Sequence, residues 1–472
     1  MAKDKAGAAF FCASCGYESP KWMGFCPACR ERAPLVQSPS SSRRERRSWA
    51  GEAPPAPKEL STVATDHHDR IPMAFSELNR VLGGGVVPGS VVLMAGEPGV
   101  GKSTMLLQTA QGLAAEGGAV LYVSGEESVS QIKSRSDRLG FSGRGVYMLA
   151  ETNADEIVRH LEEFRPALAM VDSVQTLYCA DLPSGAGSVA QVRESTLRIM
   201  RWAKASAVPV VMTGHVTKEG SLAGPRVLEH MVDAVVHLEG DGTGEYRILR
   251  GSKNRFGSTD EVGIFQMGGG GLEEVPDPSR VLLANRLEGA VGSTIVPVLE
   301  GSRPLLVEVQ ALTSPSVLPA PRRVANGLDY NRLLMLAAVL GRRVGLGLAN
   351  LDVIVNVVGG LRLRDPSSDL AVALAIASSV RNVPVRAQTV VAGEVGLSGE
   401  LRAVSQWQRR LNEASRLGFR YCVFPEASRG DGQAVQGTQR KTFPTLEAAV
   451  SWALPRGREK AAWETGFDEE GV

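Results

Sequence analysis

The chain has 472 residues, a formal net charge of +1 and 43 % hydrophobic residues, enough for two or three domains with their own cores. No apolar run reaches the ~18 residues of a membrane span, and no apolar stretch precedes the first cysteines, so neither a membrane span nor a secretory signal is expected. Charge balance leaves partners open, and any nucleic-acid surface must be local. Six cysteines, four of them clustered, are metal-site usage in a reducing compartment rather than a disulfide framework, which points to the cytoplasm.

In chain order the pattern predicts a Cys-rich module at 10–34, a Ser/Pro/Arg-rich linker at 35–70, and an α/β parallel-sheet domain at 71–275. A mixed α/β domain follows at 281–455, then a loose polar tail at 456–472. The first module, "CASCGYESPKWMGFCPAC", sets Cys12, Cys15, Cys26 and Cys29 in two C-x-x-C knuckles ten residues apart. Each knuckle aims two thiolates at one point, and two knuckles complete a tetrahedral Zn²⁺ site; a redox dithiol is the other chemistry this spacing serves. So small a module has little core, so the metal is expected to be structural.

"GEPGVGKST" fits G-x-x-x-x-G-K-[ST] between a buried strand and a helix, the context of a P-loop. Gly96, Glu97, Pro98, Gly99, Val100, Gly101, Lys102, Ser103 and Thr104 are therefore expected to bind nucleotide. Backbone N–H groups and the helix N-terminus would wrap the phosphates, Lys102 would reach the β and γ groups, and Ser103 would hold Mg²⁺. Asp172 closes the strand "ALAMVD" and is expected to orient Mg²⁺ through water. Glu126, after "VLYVSG", is the choice for positioning the attacking water; Glu127 is the alternative, and a helix-capping role is open for either.

The P-loop, "YVSGEES", "MVDSVQTL" and "VVMTGHVTKEG" follow the order of a RecA-type ATPase core, and "KNRFG" (Lys253, Asn254, Arg255, Phe256, Gly257) resembles the signature of the bacterial RadA (Sms) family of DNA-repair proteins. The resemblance implies ATP, Mg²⁺ and Zn²⁺ as cofactors. It implies that Lys253 and Arg255 act near the γ-phosphate or on DNA, across a subunit boundary. It also implies a γ-phosphate sensor at His215 and a single-strand DNA loop with Lys218 and Arg226. A basic turn is otherwise an ordinary solvated hairpin, and a lone histidine an ordinary hydrogen-bonded residue.

"LDVIVNVVGGLRLRDPSSDLAVALAIASS" resembles the proteolytic domain of Lon, whose chemistry is a Ser–Lys dyad, with Ser367 at the nucleophile position and Gln408 where the lysine would stand. Between Lys253 and Lys441 there is no lysine, and after His237 no histidine. Arginine cannot serve as a base, so Ser367 is expected to cap a helix instead, and no peptidase activity is expected. Fourteen arginines between Pro321 and Arg420, among them the pairs Arg322–Arg323, Arg342–Arg343, Arg362/Arg364 and Arg409–Arg410, suggest a DNA-facing surface or simply a soluble one.

The expected architecture is thus α/β: a zinc-ribbon-like module, a RecA-type P-loop core with a mostly parallel sheet, and an α+β Lon-like domain. The expected function, by the family resemblance, is a DNA-dependent ATPase that extends branch migration of recombination intermediates. Its expected partners are single-stranded and branched DNA, the recombinase RecA and copies of itself in a hexameric ring. The rivals are a nucleotide-gated assembly module without motor action and an ATP-dependent peptidase. Cys26→Ala is expected to release zinc, measured by atomic absorption; full retention of the metal would rule out the four-thiolate site.

Overall fold

The computed structural model describes residues 10–12, 18–19, 21–27, 35–37, 59, 61, 69–215, 227–240, 246–428 and 435–455. The chain divides into two compact units, Met1–Gly240 with Glu245–Glu274 and Asp241–Gly244 with Val275–Val472.

At the start of the first unit, β1 (Phe10–Phe11) lies between β2 (Glu18–Ser19) and β3 (Val36–Gln37), antiparallel to both. Cys12, Cys26 and Leu35 are buried together, with Phe10 and Met23 packed against them. Cys15 and Cys29 lie outside the described residues, and no group of three or more metal-binding side chains is assembled among the described ones. Two buried thiols, one from each knuckle, share a cluster, which fits the donor set of a structural Zn²⁺ site.

The main sheet of this unit contains β4 (Val91–Gly96), β5 (Val120–Ser124), β6 (Val146–Ala150), β7 (Leu168–Asp172), β8 (Val210–His215), β9 (Ala234–Gly240), β10 (Tyr246–Asn254), β11 (Val262–Gly268) and β12 (Gly271–Glu274). Its order is β12-β11-β10-β9-β4-β8-β7-β5-β6. The strands from β9 to β6 run parallel, and β10, β11 and β12 continue antiparallel from β9. Both faces are covered, so the central strands are apolar throughout and successive side chains enter opposite cores. In β4, Val92 and Met94 join the core beneath helix Lys102–Ala115. Val91, Leu93 and Ala95 join the core beneath helices Ala154–Phe164 and Val189–Ser206.

The second unit carries a mixed sheet of β13 (Ser293–Glu300), β14 (Arg303–Pro315), β15 (Arg323–Asn326), β16 (Leu351–Val357), β17 (Thr389–Val391), β20 (Tyr421–Pro425) and β21 (Gln439–Phe443), ordered β15-β16-β14-β13-β17-β20-β21. A separate ribbon pairs β18 (Glu394–Val395) with β19 (Leu401–Arg402). Helix Asp369–Arg381, the segment "DLAVALAIASSVR", is buried from Asp369 to Ser378, which is why its alanines and leucines show no polar face. No described helix is long and apolar enough to cross a membrane.

Ser367 does not have the capping role its sequence position suggests. Asp365 caps the single turn Pro366–Ser368 by accepting from the Ser367 N–H at 2.9 Å, and Ser368 precedes the long helix without a side-chain cap bond. Ser367 Oγ, buried beside the Asp365 carboxylate, forms no hydrogen bond of proper geometry. The Asp carboxylate holds the cap because two donors converge on it: the Ser367 N–H and the charged guanidinium of Arg410, at 2.5 Å. Arg410 is fully buried, and its Nε donates to Ser405 O at 3.1 Å while Nη1 donates to Pro297 O. Burial alone raises the Asp365 carboxyl, but Arg410 and the Ser367 N–H outweigh it and the net shift is downward. Gln408 is bonded to Asn412 on the exposed side of its helix. Arg410→Met, which strands this carboxylate, is expected to lower unfolding free energy by about 3 kcal/mol, read as a lower urea midpoint; an unchanged midpoint would show that the pair contributes nothing.

Candidate active site

Parallel strands release their carboxyl ends along one edge of the sheet, and β4, β5, β7 and β8 are neighbours there. Gly96 pairs with His215 and Ser124 with Asp172, so the residues leaving these strands meet. Gly96 must be glycine because a Cβ would sit 2.5 Å from Leu238 O. Gly101, at φ 114°, turns the loop into the helix, where a Cβ would meet Met267 Cε at 2.7 Å. Glu97, Pro98 and Gly99 are exposed, Val100 is buried, and Ser103 and Thr104 are half-buried on the first helical turn. That turn has no side-chain cap, so its N–H groups belong to the loop's own anion-binding geometry.

Lys102 is 5 % exposed. Its ammonium donates to Gly96 O and Glu97 O, both at 2.9 Å, and to His215 Nδ1 at 3.3 Å. Burial lowers its pKa, and the charges of Asp172 and Glu126 partly restore it. An ammonium can only donate, so Nδ1 must be an acceptor and the ring proton sits on Nε2. Nε2 in turn faces Glu126 Oε1 at 3.1 Å, which also accepts from Ser173 Oγ at 2.5 Å. The tautomer is thereby fixed, and Lys102, His215 and Glu126 form one hydrogen-bonded chain.

Asp172 is buried behind them. Thr213 Oγ1 donates to its Oδ1 at 2.5 Å and the Tyr122 hydroxyl to its Oδ2 at 2.8 Å. Burial and the adjacent carboxylate raise the Tyr122 pKa well above its ordinary value, so the phenol stays a donor. The peptide bond from Asp172 to Ser173 is cis. Tyr122, Thr213 and Ser173 were not anticipated; alternation in "AVLYVS" and "VVMTGH" places Tyr122 two residues before Ser124 and Thr213 two before His215, the one available signal.

The two glutamates part company. Glu127 pairs with Arg135, and its backbone is tied to Ser124 Oγ. Neither glutamate caps the next helix, where Ser128 and Gln131 form a capping box. Lys218 and Arg226 lie outside the described residues.

The structure does not bring Lys253 and Arg255 to the P-loop of their own chain. Asn254 pairs with Ala234, which is level with Val92, four residues before Gly96. At ~3.3 Å per residue the turn lies roughly 13 Å down the sheet, at its opposite edge. Lys253 Nζ donates to Glu229 O at 2.8 Å, His230 O at 3.1 Å and Val232 O at 2.7 Å. Asn254 Oδ1 accepts from the Phe256 N–H at 2.9 Å, and Arg70 donates to Phe256 O at 2.5 Å, which locks the turn up to Gly257.

In the second unit, most of the paired arginines are engaged internally. Arg322 binds Asp352, Arg323 donates to Leu348 O and Leu351 O, Arg343 to Leu397 O, and Arg409 to Ser302 O. Arg342, Arg362 and Arg364 are exposed and unpaired among the described residues. Arg362 and Arg364 flank a cavity of about 550 Å³.

Residues 54–221 match the family model of an AAA domain, residues 10–32 that of a rubredoxin metal binding domain, and residues 337–428 that of subunit ChlI of Mg-chelatase. The chain is similar to DNA repair protein RadA of Listeria monocytogenes, 47 % identical over 96 % of this chain and 100 % of the relative. It is 51 % identical to DNA repair protein RadA of Halalkalibacterium halodurans, over 97 % and 100 %. It is 48 % identical to that of Bacillus subtilis, over 91 % and 94 %.

Glu126→Gln keeps the shape of the carboxylate without its charge and is expected to lower ATP turnover by about 10²–10³-fold. Glu127→Gln is expected to leave turnover nearly unchanged; the opposite order in a phosphate-release assay would reverse the assignment.

Proposed function

The chain belongs to the RadA family of DNA repair proteins, and from that premise we propose that it is a DNA-dependent ATPase that drives branch migration on recombination intermediates. The observation that carries the hydrolytic part of this reading is the Lys102–His215–Glu126 chain standing beside Asp172. In hydrolysis, water attacks the γ-phosphorus as the bond to the β–γ bridging oxygen breaks, and charge gathers on the leaving phosphate. Glu126 orients and accepts a proton from that water, and Lys102 meets the developing charge on the phosphates. Ser103 and Asp172 would hold Mg²⁺, which would supply positive charge against the phosphates. His215 gives up its contact with Lys102 when the ammonium turns to phosphate, so it registers the occupied state.

The separation of the KNRFG turn from its own P-loop supports a cation that works on the nucleotide of a neighbouring copy, as a ring would require. A hexamer, single-stranded and branched DNA, and RecA are the partners this reading takes from the family. Lys218 and Arg226, in the segment that follows β8, are its phosphate contacts. Arg342, Arg362 and Arg364, exposed and unpaired among the described residues of the second unit, supply further contacts to DNA. The second unit acts as scaffold: the buried cation on Asp365, whose carboxylate caps the Ser367 turn, is Arg410, which cannot take a proton from a serine. Structural zinc on Cys12, Cys15, Cys26 and Cys29 completes the assignment.

Branch migration on three-stranded DNA is the direct test. Wild type is expected to extend the heteroduplex, Lys102→Ala to fail with turnover reduced at least about 10²-fold, and Arg255→Ala to assemble and bind ATP but not extend. Wild-type rates of extension in Arg255→Ala would contradict the role given to the turn.

A further inference from the structure

Asp233 is 1 % exposed, and no step of the proposed hydrolysis uses it. It stands between the short helix Val227–Met231 and β9. Its Oδ1 accepts from Arg255 Nη1 and from Lys204 Nζ, both at 3.2 Å. Its Oδ2 accepts from the Val91 N–H at 3.0 Å and again from Lys204 at 3.1 Å. Its backbone is held as firmly: the Asp233 N–H donates to Val91 O and the Arg255 N–H to Asp233 O, each at 3.0 Å. A buried carboxylate with two cations and a backbone N–H on it is a fixed point in the fold.

Arg255 is therefore anchored twice, through its main chain and through one edge of its guanidinium. Its side chain is 51 % exposed, and the rest of the guanidinium has no partner among the described residues. A planar fork pinned on one edge and open on the other has lost little freedom that it would still have to lose on meeting a phosphate. Lys253 differs: its three donors are all taken by main-chain carbonyls. The anchor also touches the first residue of β4, the strand that ends in the P-loop, so the carboxylate that holds the turn at the end of β10 is bonded to the start of the strand that carries the nucleotide loop.

We infer that Asp233 is a positioning residue: it presents the open edge of Arg255 to the nucleotide of the adjoining copy and ties that presentation to β4. This rests on the cross-subunit reading of the KNRFG turn.

Mixed assemblies of the full chain test it. Asp233→Asn alone is expected to bind a fluorescent ATP analogue as wild type does and to lose most turnover with DNA present. Lys102→Ala alone has an intact turn and an inactive P-loop. Mixed in equal amounts, the two are expected to recover about one quarter of the wild-type rate per subunit, because half the P-loops work and half of those meet an intact turn. Arg255→Ala mixed with Lys102→Ala is the reference. Recovery in the reference mixture but none with Asp233→Asn overturns the role of Asp233 and leaves the cross-subunit reading standing; no recovery in either overturns both. If the asparagine variant does not fold, by its melting curve, Asp233→Glu carries the same test, since it keeps the charge for Arg255 and moves it by one methylene. Its deficit is expected to be smaller and to be recovered in the same mixture, and an unrecovered deficit overturns the role.

Discussion

A lysine ammonium withdrawn from water must be compensated at once or lose its charge, and that constraint organises the nucleotide edge of the first unit. Lys102 lies on the first turn of a helix with its charge opposed by burial and supported by Asp172 and Glu126. Those carboxylates reach it because the parallel strands that carry them end side by side. Asp172 is held by Tyr122 and Thr213, and Glu126 by Ser173 and His215, so neither is free to swing onto the lysine and neutralise it directly. The compensation is thus electrostatic and indirect, and it leaves the ammonium able to exchange carbonyl partners for phosphate.

The same sheet explains why one copy is an incomplete machine in the proposed reading. Its parallel strands put the P-loop at one edge, and the antiparallel return through β10 puts the KNRFG turn at the other. The basic turn is not a loose hairpin: Lys253 closes the helix that follows the proposed DNA loop, and Arg255 rests on Asp233. Movement at that helix therefore reaches the turn through three carbonyls and one carboxylate. The proposed coupling of DNA to hydrolysis needs such a physical connection, and these bonds supply one in that reading.

Much of this was readable in the sequence where a motif fixes its own geometry. "GEPGVGKST" between an apolar strand and a helix dictates the phosphate loop, and the strand-end acids follow from the parallel alternation. Which glutamate faces the lysine was not readable, because "GEE" differs by one residue and the answer depends on Arg135, a turn further along the next helix, drawing Glu127 away. The Ser367 cap failed for a similar reason. A proline-serine pair before a helix looks like a cap, yet Asp365 had the better claim through Arg410, distant in sequence and fully buried. Tertiary partners decide between near-equivalent local choices, and the local pattern does not contain them. Asp233 went unseen for the same reason, since its three donors, Val91, Lys204 and Arg255, lie far from it and from one another along the chain.

The second unit keeps the outline of a Lon-like domain with Arg410 on the carboxylate that caps the Ser367 turn, and in the proposed reading its exposed Arg342, Arg362 and Arg364 face polynucleotide. In the proposed reading that polymer regulates the chemistry of the first unit. Steady-state ATP turnover of the intact protein, with and without saturating single-stranded DNA, measures this dependence directly. A severalfold rise that vanishes at high salt is expected; a rate indifferent to DNA at every salt concentration would contradict it.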